Sequence, residues 1–215
     1  MFRSVHANRD ERSRHLPGDD ILPDVEGSLT HAVTINRSPA DVWPWLAQMG
    51  AGRAGWYSYD FIDNGREPSK ERIVPELQEI AVGTIMPWLP DATEGFSIMR
   101  IEPGRSLVLG AVPPEGGPPL MTWAFVLEER QPGVTRLIAR ARERRGYQPP
   151  FGLPHWTVRT LVPWGHLIMQ RKQLLGIARR AEEAAAATTK AAAPRSASSP
   201  RPSWKESTGG TGWTG

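Results

Sequence analysis

The sequence predicts an α+β fold in which a curved antiparallel sheet wraps around a long C-terminal helix. Three observations indicate it: a capped helix follows directly on the first strand, apolar runs separated by short turns follow from about residue 84, and a long amphipathic segment comes after them. Short turns between apolar runs indicate hairpins and therefore an antiparallel meander. The long helix is the only element with enough apolar surface to cover one face of that sheet.

The first strand is predicted over residues 29–36, where larger and smaller residues alternate. Side chains on one face of a strand recur at every second residue. One face of this strand carries Leu29, His31, Val33 and Ile35. The strand leads directly into the first helix.

The start of that helix is indicated by Ser38, Pro39 and Asp41. Ser38 is a typical N-cap, proline is favoured at the first helical position, and an acidic residue three positions after the cap can bond to the cap's own amide. One apolar stripe then follows, formed by Val42, Trp45, Leu46 and Met49. Its spacing predicts a short helix that packs on the sheet.

A second short helix or tight turn is predicted over residues 56–63, after the glycine-rich segment 50–55. That segment has the spacing G-x-G-x-x-G, but it follows a helix, whereas a dinucleotide-binding loop follows a strand and opens a helix. We therefore expect no dinucleotide cofactor at this segment. Residues 75–80 are predicted to form a further helical turn.

Five apolar runs predict the strands of the meander: residues 84–88, 96–102, 106–112, 121–129 and 135–145. Proline and glycine lie between them, as is typical of turns. A long helix with one broad apolar face is predicted from about residue 155 to residue 187. Pro163 is expected to start or kink this helix.

The last strand of the meander has two different faces. One carries Thr135, Leu137, Ala139 and Ala141, and the other carries Arg136, Ile138, Arg140, Arg142 and Arg144. The small face leaves room for a ligand beside the helix, unless Met121, Trp123 and Phe125 of the adjacent strand fill it. The arginines are predicted to form a solvated outer face paired with Glu128 and Glu129, and not a nucleic-acid surface, because no aromatic stacking platform accompanies them.

Composition divides the 215 residues into three parts. Residues 1–27 form a polar N-terminal extension, residues 28–187 form one folded domain, and residues 188–215 are a low-complexity tail predicted to be disordered and dispensable for stability. The tail holds four basic residues against one acidic residue and supplies most of the net charge of +3. Neither a signal peptide nor a membrane span is evident, so we expect a cytoplasmic protein without stable membrane insertion.

The chain has no cysteine, which excludes disulfides, thiolate metal sites and thiol catalysis. The histidines and carboxylates of the domain show no spacing typical of metal ligands. We therefore expect neither a metal nor a cofactor.

Several segments together resemble one superfamily. They are the first strand, Ser-Pro-Ala-Asp-Val-Trp-Pro-Trp-Leu at 38–46, Gly-Trp-Tyr-Ser-Tyr-Asp at 55–60, Arg-Ile-Val-Pro-Glu at 72–76 and Thr-Trp-Ala-Phe-Val-Leu at 122–127. Over residues 16–183 the chain resembles bacterial members of the START and polyketide-cyclase (SRPBCC) superfamily. The resemblance implies a helix-grip fold that holds a hydrophobic ligand such as a lipid, a sterol or a polyketide between sheet and helix, and a minority of members are enzymes. It implies no catalytic residue at any position here.

We predict from the fold and from the wealth of tryptophan that the domain binds a small hydrophobic ligand between the sheet and the C-terminal helix. Aromatic side chains with one polar atom suit the wall of an apolar pocket, although they suit a core equally well. The predicted ligand-binding residues are Trp56, Tyr59, Trp88, Trp123, Trp164 and His166.

The alternative is an enzyme of the cyclase or dehydratase type, acting on a polyketide-like substrate at the same place. Such an enzyme needs an acid–base group inside the binding site. The candidates are His31, His155, His166, Asp60 and Asp63. A third alternative is a non-catalytic module that binds a protein partner through an exposed apolar patch.

Overall fold

The computed structural model describes residues 3–113, 115–145 and 155–192, and in the last range it describes the side chains of residues 165–186. The elements follow in the order α1 Arg9–Ser13, β1 Val25–Ile35, α2 Pro39–Ala47, α3 Asp60–Asp63, a 3₁₀ turn Pro75–Leu77, β2 Ile85–Pro87, β3 Gly95–Glu102, β4 Ser106–Ala111, β5 Met121–Gln131, β6 Val134–Arg144 and α4 His155–Ala192. All five predicted strands of the meander are present.

The six strands form one antiparallel sheet in the order β1-β6-β5-β4-β3-β2. The long helix α4 lies against β1 and α2. An antiparallel sheet that holds a long C-terminal helix confirms the predicted helix-grip fold. Pro163 lies inside α4, so it does not start the helix, and α4 runs on to Ala192 beyond the predicted boundary at 187. The predicted disordered tail otherwise lies outside the described residues.

The capping box predicted for α2 is present. The Ser38 hydroxyl accepts a hydrogen bond from the Asp41 amide at 3.3 Å, and the Asp41 carboxylate accepts one from the Ser38 amide at 3.2 Å. The predicted apolar stripe of α2 is fully buried in the main core. Both the start of this helix and its orientation therefore follow from local sequence.

The chain after α2 approaches α4 closely at Tyr57. Tyr57 has a left-handed backbone with φ of 61°, and its hydroxyl accepts a hydrogen bond from the side-chain amide of Gln48 at 2.9 Å. A Cβ atom added to Gly176 of α4 would lie 2.5 Å from the Tyr57 carbonyl oxygen. The guanidinium of Arg180 lies 4.7 Å from the centre of the Tyr57 ring. Because Gly176 has no side chain, the backbone at Tyr57 can pack directly against α4.

Replacing Gly176 with alanine should lower the free energy of unfolding by about 1 to 3 kcal/mol, because the new methyl group meets backbone and forces the two elements apart. Gly165 offers a matched control in the same helix, since a Cβ atom there would meet nothing within 4 Å. Alanine at 165 should leave stability unchanged or raise it by up to about 1 kcal/mol, the usual gain for this change in a helix. Urea unfolding of both variants tests this, and similar effects at the two positions would contradict it.

The outer face of the sheet is covered by residues 3–24, which we call the N-terminal strap. Helix α1 of the strap begins with a capping box in which Asn8 and Glu11 bond reciprocally at 2.8 Å. A second, smaller core lies under the strap and consists of Ala7, Leu16, Ala32, Val126 and Ile138. The strap also bonds to β1, where the Val5 carbonyl accepts from the Ala32 amide at 3.1 Å.

The prediction of a solvated arginine face on β6 is wrong, because the strap buries Arg140 and partly buries Arg136 and Arg142. Glu11 is 1% exposed and forms a bidentate pair with Arg136 at 2.8 and 2.9 Å. Arg140 is 4% exposed and donates to Asp19 at 2.5 Å. Arg142 also lies within ion-pair distance of Asp19, at 3.3 Å.

The predicted partners of the arginine face are also wrong. Glu128 pairs with Arg14 of the strap and with Arg130 on its own strand. The carboxylate of Glu129 accepts a hydrogen bond from the Gly133 amide at 3.1 Å. Acidic residues of the strap, and not those of β5, therefore neutralise Arg136, Arg140 and Arg142.

Candidate functional site

The inner face of the sheet, which faces α4, is fully buried at one end and only partly buried at the other. At the closed end Val33, Ile35 and Leu137 are fully buried in one cluster with Leu174 and Ile177 of α4. Further along the strands, several inward-facing side chains are only half-buried, although Ala139, Ala141 and Phe125 are buried. We call this region the open end; it comprises Leu29, His31, Met121, Trp123, Ala141 and Glu143 of the sheet and His166 of α4.

Strand register places the sheet residues of the open end on one face. His31 pairs across the ladder with Ala139, and Leu29 pairs with Ala141. Ala141 in turn pairs with Trp123 of β5. Directly paired residues of antiparallel strands project to the same side. Two small residues of β6 therefore form a low floor between larger side chains of β1 and β5.

An aromatic wall borders the open end. The rings of Trp56 and Trp123 are stacked with centroids 5.6 Å apart and an interplanar angle of 21°. Phe96 meets both rings edge-on, at 5.7 and 5.5 Å, and Trp88 meets Phe96 at 5.8 Å. We refer to these four side chains as the aromatic wall.

Hydrogen bonds hold the two stacked indoles in place. The Trp56 indole N–H donates to the Pro87 carbonyl at 3.1 Å. The Trp123 indole N–H donates to the side chain of Gln170 at 2.9 Å. Gln170 is itself bonded to Gln173 at 2.8 Å. Because both indole donors are satisfied, the wall offers a ligand an apolar ring surface of fixed orientation.

Two imidazoles face each other beside this wall. The rings of His31 and His166 have centroids 6.0 Å apart, and His166 lies 6.3 Å from Trp123. The Nδ1 atom of His31 and the Nε2 atom of His166 are buried, and neither has a hydrogen-bond partner among the described residues. A buried polar atom without a partner costs free energy, typically about 1 to 3 kcal/mol.

Both imidazoles are neutral at pH 7. Burial, with a smaller contribution from the neighbouring His31, lowers the pKa of His166 to about 4. Burial also lowers the pKa of His31. A neutral imidazole has one donor and one acceptor nitrogen, so each ring can exchange a hydrogen bond with a hydroxyl or carbonyl group of a ligand.

The lowered pKa of His166 predicts a loss of stability in acid. The unfolded chain protonates histidine near pH 6.5, whereas the folded protein protonates His166 only near pH 4. The free energy of unfolding is therefore not reduced by His166 above about pH 6.5. It falls by up to about 3 kcal/mol as the pH decreases toward 4.

Buried acids have the opposite effect on stability in acid, because burial raises the pKa of Asp63 to about 6 and also raises the pKa of Glu143. The decisive measurement is therefore urea unfolding of the wild type and of His166→Gln at pH 7.5 and 4.5. The variant should lose less stability in acid than the wild type. Equal losses would show that His166 is not held neutral by burial.

The structure brings together four of the six predicted ligand-binding residues. Trp56, Trp88 and Trp123 belong to the aromatic wall, and His166 adjoins it. Tyr59 contacts a different group: its ring lies 5.8 Å from Phe61 and 5.9 Å from the Lys172 ammonium. The side chain of Trp164 lies outside the described residues.

Among the acid–base candidates, only His31 and His166 are seen at the open end. Asp60 accepts a hydrogen bond from the Ser69 hydroxyl at 2.5 Å, and Asp63 is buried beside it on α3. The side chain of His155 lies outside the described residues.

Phe96 and Glu143 lie at the site but were not among the predicted site residues. Phe96 connects Trp88 to the rest of the aromatic wall. Glu143 shares the inward register of Ala139 and Ala141. Extending the alternation of β6 by one step would have identified Glu143.

In the part of the chain that the structure describes, no group of three or more histidine, aspartate or glutamate side chains could hold a metal ion. Nor does any helix there combine the length and apolarity needed to cross a membrane.

Solved structures similar to this chain include three with descriptive names. An aromatase/cyclase from Streptomyces sp. R1128 is 13% identical, covers 74% of this chain and 95% of its own, and has a TM-score of 0.39. A norcoclaurine synthase from Thalictrum flavum is 12% identical, with coverages of 83% and 97% and a TM-score of 0.40. A polyketide-cyclase-like protein from Corynebacterium glutamicum is 14% identical, with coverages of 74% and 93% and a TM-score of 0.37. No protein-family model and no curated protein matches the chain.

Proposed function

We propose that the protein binds a small hydrophobic molecule at the open end, between the sheet and α4. The observation that carries this proposal is the pair of buried imidazole nitrogens without partners, set beside apolar side chains that are only half-buried. Protein cores are close-packed and their buried polar groups are bonded. A ligand with an apolar body would cover the half-buried apolar side chains. One polar group on that ligand would bond to an unpartnered imidazole nitrogen.

The residues of the open end indicate which chemical groups that ligand would carry. Its apolar body would lie on the floor formed by Ala139 and Ala141 and against the ring of Trp123. Its hydroxyl or carbonyl group would exchange a hydrogen bond with His31 or His166. Lipid-, sterol- and polyketide-like molecules all have this combination, and each is a candidate class.

A second candidate function is catalysis of a cyclisation or dehydration at the same place. The observation that favours it is the neutral state of His31 and His166, because a neutral imidazole with a free acceptor nitrogen can remove a proton next to a ketone. The aromatic wall would hold a folded substrate in a reactive orientation.

Tryptophan fluorescence tests the binding proposal. Titration with a fatty acid, a sterol and an aromatic polyketide should give a saturable change in emission with at least one class. Trp123→Phe should reduce the change, whereas Trp45→Phe should preserve it, because Trp45 is buried against Tyr57 and is not part of the aromatic wall. No change with any class, or an equal effect of both variants, would overturn the proposal.

The enzyme alternative needs a separate measurement. Loss of turnover of a polyketide-like ketone in His31→Gln or His166→Gln, with ligand affinity retained, would support catalysis. Unchanged turnover in both variants, or no turnover by the wild type, would exclude these imidazoles as the proton acceptor.

A further inference from the structure

A carboxylate lies on the inner face beyond the apolar floor. Glu143 is half-buried and pairs across the sheet with Met121 of β5 and with Gly27 of β1. It lies four residues beyond Ala139, the cross-strand partner of His31. At a rise of about 3.3 Å per strand residue, this places Glu143 about 13 Å from the row of His31 on the same face.

No basic group neutralises this carboxylate among the described residues. The arginines that precede and follow Glu143 on β6 belong to the opposite face of the strand, where Arg142 is within ion-pair distance of Asp19. Burial raises the pKa of Glu143, and the carboxylate of Glu26 on β1 contributes to this shift. Charged groups removed from water are ordinarily paired, so a half-buried inward carboxylate without a basic partner in the described part of the chain is costly.

We infer that Glu143 binds a basic nitrogen of the ligand, at the end remote from the group that bonds to His31 and His166. This rests on the proposed function, and it narrows the ligand to amphipathic molecules with a cationic amine. The ammonium would form a charge-assisted hydrogen bond with Glu143. The apolar body between the two polar groups would cross Leu29, Ala141 and Met121.

Three matched compounds test this inference by calorimetry: 4-(6-aminohexyl)phenol, 4-(6-hydroxyhexyl)phenol and 6-(4-hydroxyphenyl)hexanoic acid. They differ only in the terminal group. The wild type should bind the amine roughly tenfold more tightly than the alcohol and should bind the acid most weakly. Glu143→Gln should remove the difference between amine and alcohol.

Glu102→Gln is the control, because it removes the same charge from an exposed side chain at the far end of β3. It should preserve the preference for the amine. Equal binding of amine and alcohol by the wild type, or a preference that persists in Glu143→Gln, would overturn the amine inference and leave the proposed function intact. Failure of the three compounds and of every class in the fluorescence titration would overturn both.

Discussion

Replacing Arg140 with methionine should lower the free energy of unfolding by about 3 to 5 kcal/mol, the usual cost of removing one partner of a buried ion pair. The Arg140 guanidinium donates to Thr30 at 3.1 Å and to Asp19 at 2.5 Å. It also donates to the main-chain carbonyls of residues 11, 12 and 14 of the N-terminal strap, at 2.6, 3.1 and 3.0 Å. Methionine retains much of the volume but leaves these buried acceptors without a donor.

Arg100→Met is the matched control for this prediction. Arg100 also bonds to the strap, through two hydrogen bonds to Asp20 of 2.9 and 2.7 Å, but this pair is exposed to solvent. Its loss should change stability by at most about 1 kcal/mol. Trypsin should also cleave the strap faster in the Arg140 variant than in the Arg100 variant. Similar stabilities and similar cleavage rates would show that Arg140 does not hold the strap.

The second large effect concerns ligand affinity. Replacing Ala141 with leucine should weaken binding of the fluorescence-detected ligand by roughly tenfold or more, because the added methyl groups occupy the space above the floor of the open end. The free energy of unfolding should fall only slightly, since Ala141 lies between half-buried side chains. Fluorescence titration and urea unfolding of the same variant separate the two effects.

Ser28→Leu is the control for the Ala141 variant. Ser28 pairs with Arg142, so it belongs to the outer face of the same sheet, and it is exposed. A leucine there should leave the affinity unchanged. If Ala141→Leu also left the affinity unchanged, the ligand would have to bind elsewhere.

Local sequence was enough to predict the elements that have local causes. The capping box at Ser38 and the apolar stripe of α2 depend on residues close together in the chain, and both are present in the structure. The inner face of β6 followed from its two-residue alternation, which also placed Ala139 and Ala141 beside Trp123. Periodicity is a dependable guide to which face of an element is buried.

Local sequence patterns do not predict the N-terminal strap, because the contacts that hold it join residues far apart in the chain. Alternation showed that Arg136 and Arg140 point away from α4, but it did not show what lies on that side of the sheet. The available signal was electrostatic: six acidic residues in the first 27 face a run of arginines more than 100 positions later. The buried pairs of Glu11 with Arg136 and of Asp19 with Arg140 are the result.

Tyr59 and Glu143 show two further limits of pattern-based prediction. The aromatic segment 56–59 gave no indication of which rings face the sheet, because the left-handed backbone at Tyr57 changes the direction of the chain. Only Trp56 of this segment joins the aromatic wall. Glu143 went unnoticed because it is a charged residue at the end of a strand, where solvent exposure is the usual expectation.

The strap has a consequence for self-association. β1 and β2 are the two edge strands of the sheet, and an uncovered edge is a template for pairing with another chain. β2 has only three residues, whereas β1 has eleven, and the strap pairs with β1 through the His6–His31 bridge. A change that releases the strap therefore uncovers the longer edge, so such variants should be lost from solution by aggregation as well as by unfolding.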